Sequence, residues 1–347
     1  MTADVLDRLR DMVQEDVGGR GLRTDRARNL ISESAGGFGG ACRSLAGMAS
    51  PGLAIVTGFF IPMANPPAGE TDGPLGAVFL ARALIPLGFR IAVVSDAFCI
   101  PAIKAGLAAS GMGDEVSTVT LPAPAESALM NSNDYHDCST RSLENFTLTH
   151  LLALERVGPS YRQVPLPMHE VFLTEVPSEH RDRCHTMRGI DITDRMSPAH
   201  WLFERAGQQG IATIAIGDGG NEIGMGSIPW EVIRSNIPRG GLIACRVPVD
   251  HLIVCGVSNW GAYALAAGIY GLRGVVPPPD LFDPDVEKRI LELMVTQGPL
   301  VDGVLGKPSV TVDGLSWERY VGILPRLREL IDGDRTLEDS SARRGGL

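Results

Sequence analysis

Five short apolar runs in this chain each end in a polar or glycine-rich turn, and that recurrence constrains the fold more than any other feature. Leu53 to Val56 ends in Thr57-Gly58, Arg90 to Val94 in Ser95-Asp96, and His150 to Leu154 in Glu155-Arg156. Ile211 to Ile216 runs into Gly217-Asp218-Gly219-Gly220, and Leu252 to Cys255 into Gly256-Val257-Ser258-Asn259. After the first run, Pro74 stands where the first turn of a helix tolerates it, and Leu75 to Leu87 keeps a helical pattern until Gly88. After the last, Trp260 to Tyr270 reads as a helix. Strand, turn, helix, strand implies parallel strands joined by right-handed crossovers. The expected fold class is therefore α/β, a largely parallel, Rossmann-like three-layer sheet with helices on both faces. Ligands of such sheets bind outside the carboxyl ends of the strands, so the turns locate a site before any chemistry is considered.

The 347 residues, 44% of them apolar, suffice for a large core. Residues 1–50 read as a helical N-terminal preface, 51–331 as a single α/β catalytic domain and 332–347 as a polar, flexible tail. Residues 122–147 and 157–187 have weak periodicity and read as long loops over the site. A net charge of -10 argues against nucleic acid or an anionic membrane as partner, though not against a small anionic substrate. No apolar run reaches the ~18 residues of a membrane helix, and the acidic start lacks the features of a signal peptide. The six cysteines are scattered without a C-x-x-C pair and read as reduced thiols, Cys99 and Cys255 as small core fillers. These features predict a cytoplasmic protein and leave a homo-oligomer open.

Chemistry concentrates in three turns. Gly217 to Gly226 holds five glycines together with Asp218, Asn221 and Glu222. The glycines admit close backbone approach and positive φ, and the acids are hard oxygen donors suited to Mg²⁺ or Mn²⁺. Asp218 and Glu222 are the expected metal ligands. Its bland alternative is a glycine turn with solvated acids. Glu70-Thr71-Asp72-Gly73-Pro74 sets two acids just before a helix N-terminus, where Thr71 or Asp72 also serves as an ordinary cap. In Gly256 to Gly261, Asn259 either caps a helix or orients a substrate. Arg156 and Arg188 supply the guanidinium groups that a dicarboxylate needs, although each alone is more often a surface or ion-pair residue. His180, Cys184 and His185 approach zinc spacing but lack a fourth ligand. Asp96 lacks the second acid of a phosphatase nucleophile, Phe98 standing in its position. No phosphate-binding loop or nucleophile-elbow pattern is present.

Together, Thr57-Gly58-Phe59, Glu70 to Pro74, Glu155-Arg156, Met187-Arg188-Gly189, Gly217 to Gly226 and Gly256 to Gly261 resemble the D-glutamate cyclase family. The likeness is to the C-terminal half of its animal mitochondrial members, and it runs from about Leu53 to Tyr270. The stretch Gly158 to His185 is longer than the family's usual link, and the further domain of those members is not expected here. The resemblance implies a hydro-lyase of D-amino acid metabolism, converting D-glutamate to 5-oxo-D-proline with loss of water. On that reading Asp218 and Glu222 hold a divalent cation, and Glu70 or Asp72 completes its shell or acts as general base. Arg188 and Arg156 bind the substrate's carboxylate, with Thr57, Asn221 and Asn259 among the substrate-binding residues. Two alternatives stay open: a metal-dependent hydrolase or lyase on another small carboxylate, and a non-catalytic small-carboxylate-binding domain.

Overall fold

The apolar runs form strands because each is rich in Val, Ile, Leu and Ala and is buried along nearly its whole length. In the computed structural model, which describes residues 3–143 and 146–344, they are β1 (Gly52–Thr57), β4 (Arg90–Ser95), β6 (His150–Leu154), β7 (Ala212–Gly217) and β8 (His251–Val254). A sixth strand, β5 (Ser117–Thr120), joins them, and β2 (Phe60–Ile61) pairs antiparallel with β3 (Ala68–Gly69) in a separate small ribbon. The sheet runs β5-β4-β1-β6-β7-β8, with every neighbouring pair parallel. Chain order reverses between β1 and β6, where a doubly wound sheet opens a crevice for ligands. The α/β expectation, with helices on both faces, is met.

Alternation along the strands sorts the core into two layers. Leu53, Ile55, Ile91, Val93, Leu152, Leu154, Ile214 and Ile216 face one cluster. Helices Pro74–Leu84, Ser258–Arg273, Pro284–Gln297 and the N-terminal Ala3–Val13 pack into it. Ala54, Val56, Ala92, Val94, Leu151, Ala153 and Ala215 face the other, where the strands present smaller residues to Tyr135, Phe172, Phe203 and Trp230. Helix Pro74–Leu84 is buried all round. Its Arg82 is neutralised by the buried Glu287 at 2.9 Å.

The first fifty residues fold as helices Ala3–Val13, Leu30–Glu33 and Gly37–Ala46 joined by irregular chain. Val13 accepts from the Gly256 amide at 2.9 Å, and Gln14 donates to the Val254 carbonyl at 3.0 Å, so this segment is tied to the carboxyl end of β8. Beyond Asp332, where a polar tail was expected, helix Ile323–Arg344 continues, anchored upstream by buried Leu324, Leu327 and Ile331; residues 345–347 lie outside the described set. The stretches read as long loops contain short helices, Pro124–Ser127, Ser132–Thr140 and His169–Glu175. Among the described residues no helix is long and apolar enough to cross a membrane.

Candidate functional site

The chain ends its strands in turns that brace one another. Helix Pro74–Leu84 has no capping side chain of its own, and neither has helix Ser258–Arg273. Each takes its cap from the other's turn. Asn259 Oδ1 accepts from the Gly73 and Gly76 amides at 2.9 and 2.8 Å. Asp72 accepts from the Ser258 and Asn259 amides at 2.9 and 2.8 Å. A carboxylate at that position also gains from the dipole of the longer helix. The exchange needs a tight elbow at Gly73, whose φ is 90°. A Cβ there would meet Thr57 Oγ1 at 2.6 Å and Glu155 Cβ at 2.9 Å.

The turn after β7 is organised from within. Both oxygens of Glu222 are taken by its own loop, from the amides of Asp218 (2.9 Å), Gly219 (2.6 Å) and Gly220 (2.7 Å). Gly224 then turns the chain away with φ 102°, and a Cβ there would lie 2.2 Å from Ala215 Cβ. With its backbone so held, Asp218 faces the crevice. Asn221 donates through Nδ2 to the His185 carbonyl at 2.7 Å, which leaves Oδ1 as an acceptor without a partner among the described residues.

Asp72, Glu155 and Asp218 converge, each buried, with one oxygen apiece within 4.8 Å of the others. Glu155 is held in the left-handed region, φ 44°, and accepts from Ser258 Oγ at 2.5 Å. One cation reaches into the group from the N-terminal segment. Arg20 pairs with Asp218 and, at 2.8 Å, with Asp313. Asp16 fixes the Arg20 turn by accepting from the amides of Arg20 (2.8 Å), Gly21 (2.9 Å) and Leu22 (3.0 Å). Burial, added to by Asp313 and Asp72, pushes Glu70 well above the usual carboxylate range. Burial raises Asp72 to about 8, with Asp313 adding to it and the backbone amides of Asn259 and Ser258 opposing. Glu155 and Asp218 shift upward for the same first reason, Asp218 against the pull of Arg20.

A cavity of about 130 Å³ opens above this cluster. Arg20, Glu70, Glu155, Asp218, Asn221 and Asp313 reach its wall, and Met187, Arg188 and Ile190 close over it. Exposed Met63 and Arg188 stand at the rim.

The expected site residues divide. Glu70, Asp218, Asn221 and Arg188 line the cavity, and Asp72 lies in the acid cluster beside it. Glu222 is not in that cluster: three closely spaced amides of a glycine turn need an acceptor, and its carboxylate supplies it. Arg156 turns away from the cavity. It is fully buried, pairing with Asp96 and donating to the Gly58 and Ser197 carbonyls at 3.1 and 2.7 Å. Asn259 is consumed by capping and by hydrogen bonds to Thr71 and Tyr320. Thr57 is buried beneath the Gly73 elbow, its Oγ1 without a partner among the described residues. Arg20 and Asp313 are not among the expected site residues, and Glu155 was named only as part of a turn and a motif. Glu155 was legible, since it follows β6 just as Asp218 follows β7. Only the glycines flanking Arg20 and the Asp313-Gly314 pair hinted at the other two.

Three hard oxygen donors this close could hold a metal ion. The family described as D-glutamate cyclase-like, C-terminal matches residues 9–328 of the chain. The protein belongs to the D-glutamate cyclase-like family. Within it, the chain is similar to the human mitochondrial D-glutamate cyclase, 29% identical over 218 residues. That stretch is 62% of this chain but 32% of the human protein, so the chain spans about a third of its relative's length. In this D-glutamate cyclase-like chain the family match also takes in Arg20 and Asp313, outside the part where the sequence motifs were apparent.

Proposed function

We propose that this chain cyclises D-glutamate to 5-oxo-D-proline with loss of water, assisted by a divalent cation. The observation that carries the reading is the convergence of Asp72, Glu155 and Asp218 beneath a small cavity that Glu70 also reaches. Membership of the D-glutamate cyclase-like family supports the choice of substrate.

In the reaction the α-nitrogen bonds to the γ-carboxyl carbon and a carbon–oxygen bond of that carboxyl breaks. The ammonium gives up two protons, and both leave with the departing oxygen as water. Asp72, Glu155 and Asp218 would hold a Mg²⁺ or Mn²⁺ ion, which would supply Lewis-acid polarisation of the γ-carboxylate. Glu70 is suited to carry a proton from the nitrogen to the leaving oxygen. It reaches the cavity directly, and burial raises its pKa, which favours the protonated form it needs to deliver a proton. Arg188, exposed at the rim, offers the fork geometry that an α-carboxylate binds. Folding the substrate so that amine and carboxyl meet contributes by proximity alone.

The test is an assay of the purified, metal-stripped chain with D-glutamate, with and without Mn²⁺ or Mg²⁺, and with L-glutamate as control. Product is read by chiral chromatography. The expected result is metal-dependent 5-oxo-D-proline from D-glutamate only. It should fall by about 10²-fold or more in Glu70→Gln while metal binding is kept. A folded chain that binds Mn²⁺ yet makes no product sinks the proposal.

A further inference from the structure

Two buried oxygens at the cavity wall lack any hydrogen-bond partner among the described residues: Asp313 Oδ2 and Asn221 Oδ1. Buried acceptors are almost always satisfied, so a pair left open at one cavity asks what donor completes them. Both are rigidly presented. Asn221 cannot turn its amide round, because Nδ2 is held by the His185 carbonyl, which only accepts. Asp313 stands on a loop that Asp302 ties together. Asp302 accepts from the amides of Val304 and Leu305 at 2.9 and 2.8 Å, and from Thr311 Oγ1 and the Gly314 amide at 2.7 and 2.8 Å. That loop holds Asp313 at φ 56°, a left-handed conformation kept only where the surroundings impose it. The other oxygen of Asp313 is already on Arg20, so one carboxylate oxygen is anchored and one is offered.

We propose that Asp313 Oδ2 and Asn221 Oδ1 form the subsite for a primary ammonium group, the α-amine of a small amino acid, at the wall of this cavity. The inference rests on the amino-acid substrate proposed above and adds the residues that recognise its amine. Three arguments carry it. Asp313 is not part of the three-carboxylate cluster suited to a metal, so its free oxygen is not accounted for by that cluster. Even with a divalent cation in the cluster, the carboxylates of Glu70, Asp72, Glu155, Asp218 and Asp313 outweigh it together with Arg20 and Arg188, which favours a cationic group there. An ammonium carries three donors, enough for both open acceptors and for Glu70, whereas a hydroxyl carries one.

The experiment compares D-glutamate with glutarate, the same dicarboxylate without the amine, by calorimetric titration of the Mn²⁺-loaded full chain. Wild type and Asp313→Asn are titrated, and Mn²⁺ itself is titrated into each metal-stripped protein. Asn keeps the side-chain shape and tolerates the left-handed backbone. Asp313→Gly, which accepts that φ freely, replaces it if the first variant does not fold. The expected result is that Asp313→Asn weakens D-glutamate about tenfold or more while glutarate and Mn²⁺ stay within about twofold. Unchanged D-glutamate affinity, equal losses for both ligands, or weakened Mn²⁺ would each overturn the subsite. The two proposals separate cleanly. Amine-selective binding lost in Asp313→Asn, without any product from wild type, upholds the subsite and removes the cyclisation. Turnover of D-glutamate with a KM unaltered in Asp313→Asn does the reverse.

Discussion

Asp218 and Glu222 stand four positions apart in one loop and do opposite work. The Glu222 carboxylate points inward and satisfies three amides, while Asp218 points outward into a group of like charges. Their neutral variants therefore differ in kind. Glu222→Gln turns an NH₂ group toward amide donors and is expected to cost about 1–3 kcal/mol of stability. It should lower Mn²⁺ affinity only through the loosened loop. Asp218→Asn removes a donor of the cluster, so Mn²⁺ affinity should collapse, while the repulsion it relieves offsets the lost Arg20 pair, Arg20 keeping Asp313, and thermal stability should change little. Unfolding curves and Mn²⁺ titrations on the two variants check this. Equal behaviour of the pair would show that the assignment of roles is mistaken. The turn that carries both acids was legible, but their division of labour was not, because it depends on where each side chain points.

At the scale of elements, the site is held by contacts between strand ends. Arg156 at the end of β6 pairs with Asp96 at the end of β4, across β1 between them, and Asp96 also accepts from the Ser197 amide at 2.7 Å. Removing one member of a buried ion pair leaves the other charge uncompensated. Arg156→Met should therefore cost about 3–5 kcal/mol, seen as a lowered denaturant midpoint. Loss of substrate affinity at full stability would instead restore Arg156 to the cavity. An arginine beside a strand end reads the same in sequence whether it faces ligand or partner, and only the position of Asp96 decides. The five apolar strands were plain in the sequence because they are buried on both faces. β5 was not: Ser117–Thr120 is an edge strand in which only Val119 is buried, so it carries no apolar run. The exchanged caps of Asp72 and Asn259 were half legible, since each residue type suits a cap, but local sequence pairs a cap with its own helix.

Across the whole molecule, two histidines far apart in the chain tie stability to pH. Burial, with His251 nearby, lowers His150 from 6.5 to about 4, and burial, with Arg246 nearby, lowers His200 to about 3. His150 is set between Ser44 Oγ at 3.0 Å and Thr149 Oγ1 at 2.9 Å. Between these folded values and 6.5 the unfolded chain binds more protons than the folded one. Their contribution to stability is thus complete above about 6.5 and is lost as pH falls toward the folded values. The buried carboxylates, raised by folding, act in the opposite sense, so the test is a difference. The Tm of His150→Gln should fall less than that of wild type between pH 7 and pH 4.5. Parallel curves would show that His150 does not contribute.

The sequence by itself determined the parallel sheet, its two packed faces and the end at which the polar turns gather. Those properties follow from runs and turns a few residues long, which any fold of this chain must respect. Only the tertiary structure decided which carboxylates share the site. Arg20 meets Asp218 across 198 positions, and Asp313 arrives from a loop beyond the last strand. Charges so far apart in sequence carry no mutual signal until packing removes water between them, and then a few ångströms determine which acids converge, which brace a loop and which keep an open oxygen.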